Sequence, residues 1–298
     1  MANNITAAKP TLYQRFVNRL GASVNEYTKF CEVLTWDTPT LQTSDLFGLT
    51  GYAAQVATPT AQDIKASGVT TNSATFEKLV KITETSAIDT PGITNDIVDA
   101  LADAGAHSIA KACFDALEAL PVTAHPDSVA GYVANGGGTA FFCDDFSDPV
   151  NQSGVTTNAL SASSLTTARQ ILRQYKTKSG VNAHLDVSNE NLCLVVPPIL
   201  ETTAKDLVSR GGEIYDGSGL QSGSFGGMTV AINAHTGDDT DWVLTLKGKS
   251  CPLAMWIRKP PTLRVTQMPD TGHWAFYAMA SYSAVLRNWE GGLVYNSG

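Results

Sequence analysis

The chain has 298 residues, of which 43% are hydrophobic and only 16% are charged. This length is enough for one large domain or two smaller domains with hydrophobic cores. The formal net charge of −8 argues against a protein that binds nucleic acid over its whole surface, because such proteins neutralise phosphates with Lys and Arg.

Small polar residues take the place of charged ones, since charge lies well below the quarter usual for soluble proteins. Such a surface suits a protein that packs against copies of itself, and an ordinary Thr-rich protein fits it equally well. The N-terminus lacks the apolar core of a signal peptide, and no apolar run approaches the about 20 residues of a membrane span. We therefore expect an aqueous compartment and no membrane partner.

Cysteine usage predicts buried free thiols in a reducing cytoplasm. The five cysteines are odd in number and form no CxxC or Cys/His cluster, which makes zinc an unexpected ligand. They are Cys31, Cys113, Cys143, Cys193 and Cys251.

Residues 1–35 predict a partly helical segment, because Leu12, Phe16 and Leu20 share one helical face. The segment has a local excess of positive charge, carried by Lys9, Arg15, Arg19 and Lys29. Such a patch either contacts an acidic partner or nucleic acid, or is simply solvated.

Residues 37–75 are poor in charge, rich in Thr, Ala and Gly, and show no helical period. This pattern predicts an extended arm or a long hairpin, and a long stretch without its own core is usually functional or disordered. Residues 76–88 predict a strand, with apolar positions at Leu79, Ile82 and Ile88.

The clearest helix is predicted over residues 94–120, opened by Thr90–Pro91 and ended by Pro121. Its apolar and small residues recur close to a period of 3.6. At about 1.5 Å per residue, a helix of this length is a rod of roughly 40 Å. Acidic residues lie toward its positive N-terminal end: Asp96, Asp99 and Asp103. Gly105 in the middle marks a bend or a close packing contact.

Beyond this helix, residues 122–164 are irregular apart from a strand-like run at 139–143. A second helix is marked by Leu165, Ala168, Leu172 and Tyr175, with Ser164 as the predicted N-cap. Three further elements are predicted from apolar runs and proline: a strand at 192–196, a helix from Pro198 to Gly211–Gly212, and a strand at 228–233.

Residues 239–265 predict a β-meander. Two strand-like runs, Trp242–Leu246 and Pro252–Ile257, flank a turn at Gly248. A third run, Leu263–Val265, follows a double proline, and prolines cannot donate to a central ladder. The aromatic segment at 273–296 is also strand-like.

The motifs that suggest chemistry are incomplete. Gly248–Lys249–Ser250 resembles the end of a phosphate-binding loop, but Val243 stands where that loop requires glycine. Two acidic clusters lack the remaining features of a calcium loop and are expected to be solvated: Asp238, Asp239 and Asp241, and Asp144, Asp145 and Asp148.

The histidines form no metal-ligand pair, and no nucleophile elbow is present. They are His107, His125, His184, His235 and His273. Each is expected to be structural or exposed, so we predict a protein that is not an enzyme and that uses no cofactor or metal.

The order of elements and several segments together resemble the Hong Kong 97-type fold of tailed-phage major capsid proteins, and more narrowly the Mu-like major head subunit branch. The resemblance covers most of the chain from Thr75 onward. The segments that carry it are TFEKLVKITETSAIDTPGI at 75–93, TAFFCDD at 139–145, ARQILRQYKTKSG at 168–180, NLCLVVPPILETTAKDLVSR at 191–210, DDTDWVLTL at 238–246, CPLAMWIRKPPTLRV at 251–265 and ASYSAVLRNWEGGLV at 280–294.

The resemblance implies an α+β fold with five segments. These are an N-arm at 1–35, an E-loop at 36–88, a peripheral domain with a long spine helix at 89–159, an axial domain at 160–250 and a return to the peripheral domain at 251–298. It implies hexamers and pentamers in an icosahedral shell around double-stranded DNA, as a virion component assembled in the bacterial host cytoplasm.

The implied partners are copies of the chain, possible scaffolding, portal and decoration proteins, and DNA in weak, non-specific contact. Some members of this fold crosslink through a lysine, but no acceptor for Lys65 is identifiable and no crosslink is predicted. The expected assembly-interface residues are Lys9, Arg15, Arg19, Phe47, Tyr52, Lys65, Phe76, Trp242, Arg258 and Lys259. Three alternatives remain open: an encapsulin-like nanocompartment shell, a β-rich tail or adhesin protein, and a hydrolase with a dispersed triad.

Overall fold

The computed structural model describes residues 3–23, 25–38, 40–47, 65–90, 92–119, 155–156, 159–174, 185–209, 214–216, 219–221, 225–268, 271–286 and 293–296. Its α-helices are α1 Asn3–Ala22, α2 Glu84–Asp89, α3 Ile93–Ala119, α4 Ala162–Gln174 and α5 Glu201–Ser209. Its strands are β1 Glu32–Leu34, β2 Thr40–Phe47, β3 Lys65–Asn72, β4 Ala74–Ile82, β5 Val155–Thr156, β6 Leu192–Val196, β7 Ile214–Asp216, β8 Gly219–Gln221, β9 Thr229–Ile232, β10 Trp242–Leu246, β11 Leu253–Gln267, β12 Trp274–Leu286 and β13 Leu293–Asn296. The α+β fold class is confirmed.

Two sheets organise the described residues. The four-stranded sheet has the order β1-β11-β12-β4, with β1 parallel to β11 and the other pairs antiparallel. The five-stranded sheet has the order β5-β13-β10-β6-β9. Two separate hairpins, β2–β3 and β7–β8, complete the strand pairing.

The four-stranded sheet has one face covered by α1 and α3. Burial alternates along β11 accordingly: Leu263 and Val265 are buried, and Arg264 between them is exposed. Leu12 and Phe16 of α1 pack into the same core, which confirms the helical face predicted for the N-terminal segment. Each such side chain contributes roughly 1.5–3 kcal/mol of transfer free energy when fully buried.

The five-stranded sheet is buried more deeply at its centre. All residues of β6 and β10 are buried, including Trp242 with no exposed surface. Continuous apolar runs of this kind are typical of strands that are covered on both faces. The strand predictions at 192–196, 228–233 and 242–246 are therefore confirmed, and both central strands pack against the C-terminal half of α3 and against α4.

The predicted meander is wrong. Strand β10 pairs with β6 and β13, whereas β11 pairs with β1 and β12, so consecutive strands belong to different sheets. The runs predicted as separate strands at 252–257 and 263–265 form one strand that continues through both prolines. Its register with β12 shifts between Ile257 and Lys259 and again between Lys259 and Thr262, which removes the prolines from a regular ladder.

The chain also returns to the five-stranded sheet at its end. The resemblance implies that residues 251–298 return to the peripheral domain. Strands β11 and β12 of this segment pair in the four-stranded sheet, whereas β13 pairs with β10 in the five-stranded sheet. An apolar strand-like pattern at 293–296 cannot indicate which sheet edge it joins, because both sheets offer apolar partners.

Two local predictions are corrected by side-chain caps. The strand predicted over 76–88 ends at Ile82, because the Thr83 hydroxyl accepts a hydrogen bond from the Ser86 N–H (3.0 Å) and starts α2. Helix α4 is capped by Ser161 rather than by Ser164. The Ser164 N–H donates to the Ser161 hydroxyl (3.2 Å) and the Ser161 N–H donates back to the Ser164 hydroxyl (2.9 Å).

Other predictions hold within the described residues or lie outside them. Helix α3 matches the predicted 94–120 closely. The cysteines among the described residues are buried thiols outside any disulfide, as expected: Cys31, Cys113, Cys193 and Cys251. Several predictions fall on residues outside the described ranges. They concern the run at 139–143, Cys143, the acidic cluster at 144–148, His125, His184, Pro121, Tyr175 and Gly211–Gly212.

Gly105 marks close packing, not open space. A Cβ built at Gly105 would lie 3.3 Å from Cβ of Pro261, where β11 crosses α3. The glycine therefore lets the helix approach the proline-containing part of the strand.

We expect Gly105→Leu to lower the free energy of unfolding by about 1–3 kcal/mol, because the new side chain overfills this contact. The matched control is Gly21→Ala in α1, where nothing lies within 4 Å of the new Cβ. That change should be neutral or stabilise by up to about 1 kcal/mol through helix propensity. Urea denaturation measures both, and a Gly105→Leu variant as stable as the parent would contradict the packing argument.

Candidate assembly surfaces

Helix α1 is held on α3 by two arginine–carboxylate forks. Arg15 donates from Nε (2.7 Å) and Nη2 to the two carboxylate oxygens of Asp99. One turn later Arg19 donates from Nε (2.8 Å) and Nη2 (2.7 Å) to Asp103. Bidentate pairs of this kind fix orientation as well as charge, so the two helices are locked in register.

Each cation of the N-terminal segment has a contact within the chain. Lys9 lies over the neutral ring of Trp274 at 5.7 Å, and Lys29 pairs with Glu26 at 2.6 Å. The local excess of positive charge remains, and its contact with an acidic partner or nucleic acid stays a prediction. Lys9, Arg15 and Arg19 still reach the surface, and their part in assembly stays a prediction.

The β2–β3 hairpin projects from the four-stranded sheet. Its strands pair with each other from Thr40–Asn72 to Phe47–Lys65, which confirms the extended hairpin for the described residues. Leu41 at its base is buried against Trp256 and Val285. Phe47 and Lys65 face each other in the ladder, while Tyr52 lies outside the described residues.

Phe76 is exposed beside a groove at the junction of β4, β12 and α3. Its ring stacks on Tyr282 at 4.3 Å, yet 44% of the residue is exposed. The groove has a volume of about 340 Å³, and its lining is mainly Phe76, Leu101, Ala104, Gly105, Ala278 and Ala280. A surface of this shape accepts an apolar side chain.

Trp36 and Arg258 lie together at the open edge of the four-stranded sheet. The indole N–H of Trp256 donates to the backbone carbonyl of Trp36 (3.0 Å). The residue Trp36 is itself 59% exposed. Arg258 approaches Asp37 at 3.7 Å, and Lys259 is exposed beside it. Arg258 and Lys259 therefore occupy a surface position consistent with the predicted interface.

Trp242 is a correction to the predicted interface. It lies in the centre of the five-stranded sheet with none of its surface exposed, so it cannot contact a neighbouring subunit. The continuous apolar run that follows it was the better signal, since such runs are typical of buried strands.

Sequence reasoning missed several exposed apolar side chains that are equally suited to assembly. They are Val17, Trp36, Leu79 and Ile199. Leu79 was assigned to the buried face of its strand, but Val80 and Ile82 pack into the core instead. Glu77 and Lys81 share the face of Leu79, and this charged alternation was the signal for exposure.

The motifs considered for ligand chemistry have structural uses. Gly248 has φ +63° and its N–H donates to the Phe30 carbonyl (2.8 Å), so the turn joins β10 to the next sheet. Asp238 accepts hydrogen bonds from the hydroxyl and N–H of Thr240, and these lower the pKa of its carboxyl. The described residues contain no group of three His, Cys, Asp or Glu side chains placed to hold a metal ion.

Among the described helices, none combines the length and apolar character needed to cross a lipid bilayer.

Comparison with known proteins identifies capsid proteins. A family model described as phage capsid protein matches residues 68–295. No curated protein sequence matches the chain.

Three similar solved structures are capsids, and their low sequence identity shows the fold alone. The capsid of the native GTA particle is 13% identical with a TM-score of 0.59, and covers 92% of this chain and 90% of that one. The mature capsid of bacteriophage PhiM1 is 10% identical with a TM-score of 0.56, covering 92% and 86%. The procapsid of bacteriophage JBD30 is 13% identical with a TM-score of 0.52, covering 99% and 75%.

We expect Trp242→Ala to lower the free energy of unfolding by about 3–5 kcal/mol, because it empties the centre of the five-stranded sheet. Phe76→Ser, at an exposed position, should leave the subunit folded with a much smaller change. Urea denaturation of both variants checks this contrast, and equal losses of stability would place Phe76 in the core as well.

The α1–α3 forks should open in acid. Hydrogen bonds from Arg15 lower the pKa of Asp99, so the folded form favours the ionised carboxyl. The contribution is complete above the unfolded pKa of about 3.9 and is lost as pH falls through the lower folded pKa. We expect amide hydrogen exchange in α1 to rise over that range.

The Asp99→Asn variant should lose this response, since it lacks the carboxyl whose pKa the fork lowers. Asp115→Asn is the matched control, because Asp115 pairs with Lys111 inside α3. Exchange in α1 that follows pH equally in the Asp99→Asn variant and the parent would show that this fork does not hold the helix.

Proposed function

The chain belongs to the phage capsid protein family, and we propose that it is the major head subunit, assembling as hexamers and pentamers around packaged double-stranded DNA. As a capsid protein it is a structural component of a virion, with a Hong Kong 97-like fold. The observation that carries the assembly proposal is a hairpin, β2–β3, that leaves the sheet and pairs only with itself among the described strands.

The proposed division into domains follows the two sheets. The peripheral domain comprises the four-stranded sheet with α1 and α3, and α3 is its spine helix. The axial domain comprises the five-stranded sheet with α4, α5 and the β7–β8 hairpin, and it includes β13 from the end of the chain. The residues around Gly248 then form the joint where the chain passes from one domain to the other.

The β2–β3 hairpin is proposed as the E-loop that reaches over a neighbouring subunit. A two-stranded hairpin is marginally stable by itself in water, and here Leu41 is the buried anchor at its base. A neighbour that receives the hairpin would supply the missing contacts. Its interfaces would be heterologous and would close into rings, as shell assembly requires.

The remaining contacts are proposed from exposure and chemistry. The peripheral domain offers an apolar surface at Phe76 with its groove and at Trp36, and a basic surface at Arg258 and Lys259. Lys9, Arg15 and Arg19 lie along α1 and are partly exposed. The acidic net charge suits a shell lining that does not hold DNA tightly. Scaffolding, portal and decoration proteins, and assembly in the bacterial host cytoplasm, belong to the same proposal.

The assembly proposal predicts large closed particles. Purified protein, with any scaffold from the same source, should sediment as shells, and electron microscopy should show icosahedral outlines. Shells that contain DNA support the head subunit, whereas shells that contain only a cargo protein favour the encapsulin-like alternative. A stable monomer under every assembly condition would overturn the proposal.

Excision of the hairpin tests its role more sharply. Replacing residues 43–69 with Asn-Gly keeps Leu41 buried and joins Gln42 to Thr70, which are partners in the ladder. We expect a monomer with nearly unchanged thermal stability that forms no shells.

Sedimentation velocity and circular dichroism measure the two outcomes together. Phe76→Ser is the companion variant, because it leaves the hairpin in place and tests the groove separately. Shells formed by the excised chain would remove the hairpin from the assembly mechanism, and a global loss of structure would make the hairpin part of the subunit core.

A further inference from the structure

Two histidines from distant parts of the chain meet at the junction of the two sheets. His107 lies on α3, and His235 lies in the loop between β9 and β10. Their ring centroids are 4.5 Å apart with an interplanar angle of 69°, and the ring of Phe114 lies 5.8 Å from that of His235. The sequence treats each histidine as an isolated residue, but the fold makes them a pair.

Asn233 fixes the loop that carries His235. Its side-chain amide donates to Glu118 of α3 (2.8 Å), and its side-chain oxygen accepts the backbone N–H of His235 (3.0 Å). The loop is therefore tied to α3 through the Asn233 amide and through the contacts of the His235 ring with His107 and Phe114.

A cavity of about 370 Å³ gives protons access to the pair. Both rings line it, together with Ala106, Ala110 and the Arg19–Asp103 fork. His107 is exposed and His235 is half-buried, so the rings pack against each other without being sealed from solvent. Solvent therefore reaches both rings in the folded subunit.

Charged groups of both signs surround His235. On α3 these are Lys111, Asp115 and Glu118, and across the cavity stand Arg19 and Asp103. Asp115 and Asp103 are paired with the cations Lys111 and Arg19, whereas Glu118 accepts from the neutral Asn233 amide and keeps its negative charge near His235. In the loop itself, Asp238 accepts from Thr240.

We propose that His107 and His235 form a pH-sensitive junction, which holds the loop at 233–241 against α3 while both rings are neutral and releases it on acidification. Two neutral imidazoles pack edge to face, whereas two imidazolium ions at this distance repel each other. Because His107 lies on α3 and His235 lies in the loop between two strands of the five-stranded sheet, the junction makes the contact of this loop with α3 depend on pH.

The sign of the effect follows from the environment of His235. Burial lowers its pKa, and the positive charges of His107 and Lys111 lower it further, while Asp115 and Glu118 oppose the change. A histidine whose pKa is lower in the closed form stabilises that form fully above the ordinary pKa of about 6.5, and the stabilisation is lost as pH falls. Acid therefore favours the open loop.

Amide hydrogen exchange of the unassembled subunit between pH 7.5 and 5.5, corrected for intrinsic exchange, tests the junction. We expect protection at 233–241 and in the middle of α3 to fall on acidification. Each unit of pKa difference between the open and closed forms changes the opening constant about tenfold. His235→Phe and His107→Phe keep an aromatic ring that cannot ionise, and either variant should flatten the response.

His273→Gln is the matched control, because His273 lies before β12 and outside the cavity, and it should keep the parental response. Protection that is independent of pH in the parent, or that falls equally in the Phe variants, overturns the junction. If the Phe variants do not fold, NMR titration of the parental ring protons decides: coupled titration with His235 shifted to lower pH supports the proposal, and independent, ordinary titration refutes it. These measurements use the subunit alone, so they do not depend on shell formation.

Discussion

Helix α3 packs into both hydrophobic cores, and the two sheets are related to each other through it. Its N-terminal half buries Val98, Leu101 and Ala102 against the four-stranded sheet and α1. Its C-terminal half buries Cys113, Phe114 and other residues against the five-stranded sheet. A single helix of 27 residues thus packs into two cores, and residues of β11 and β12 also join the core of the five-stranded sheet: Leu253, Met255, Ala280 and Tyr282.

The middle of α3 is where this constraint is tightest. Gly105 lies against Pro261 of β11, so the helix cannot move toward the sheet without overlap. Two residues later His107 faces the loop of the other sheet. The packing contact is rigid because it depends on atomic volume, whereas the histidine contact depends on charge. The helix is therefore held in both cores by packing, while its contact with the loop at 233–241 is the one that protonation would change.

Much of the fold could be predicted from the sequence because local patterns determine local elements. The periodicity of α3, the apolar run of β6 and the alternation of Leu263 and Val265 each identified an element correctly. Partnership between strands could not be predicted in this way. The run at 242–246 and the run at 252–257 look alike, and only the turn at Gly248, bound to Phe30, sends the second into another sheet. The sequence does not identify the caps at Thr83 and Ser161, because several nearby Ser and Thr residues could equally well cap these helices.

The candidate surfaces were harder to predict than the fold. Arg15 and Arg19 looked available because their partners, Asp99 and Asp103, are 84 residues away in the chain. Trp242 looked like an interface anchor for the same reason, since nothing local shows that its strand lies at the centre of a sheet. Exposure is a property of the folded subunit, so apolar residues such as Trp36 and Leu79 become visible as binding surface only after the cores have been assigned.

The hairpin and the cores are held together by different interactions. Backbone hydrogen bonds join the two strands of the hairpin, whereas apolar burial stabilises the cores. The cores are stabilised by buried area, which is fixed once α3 is in place. The hairpin has backbone pairing over the whole of β2 and β3 but is anchored to a core at Leu41. Ordering a strand costs conformational entropy for each residue, and a two-stranded ribbon is marginally stable by itself in water. In the proposed shell, a neighbouring subunit would supply the contacts that fix the direction of the hairpin beyond its base.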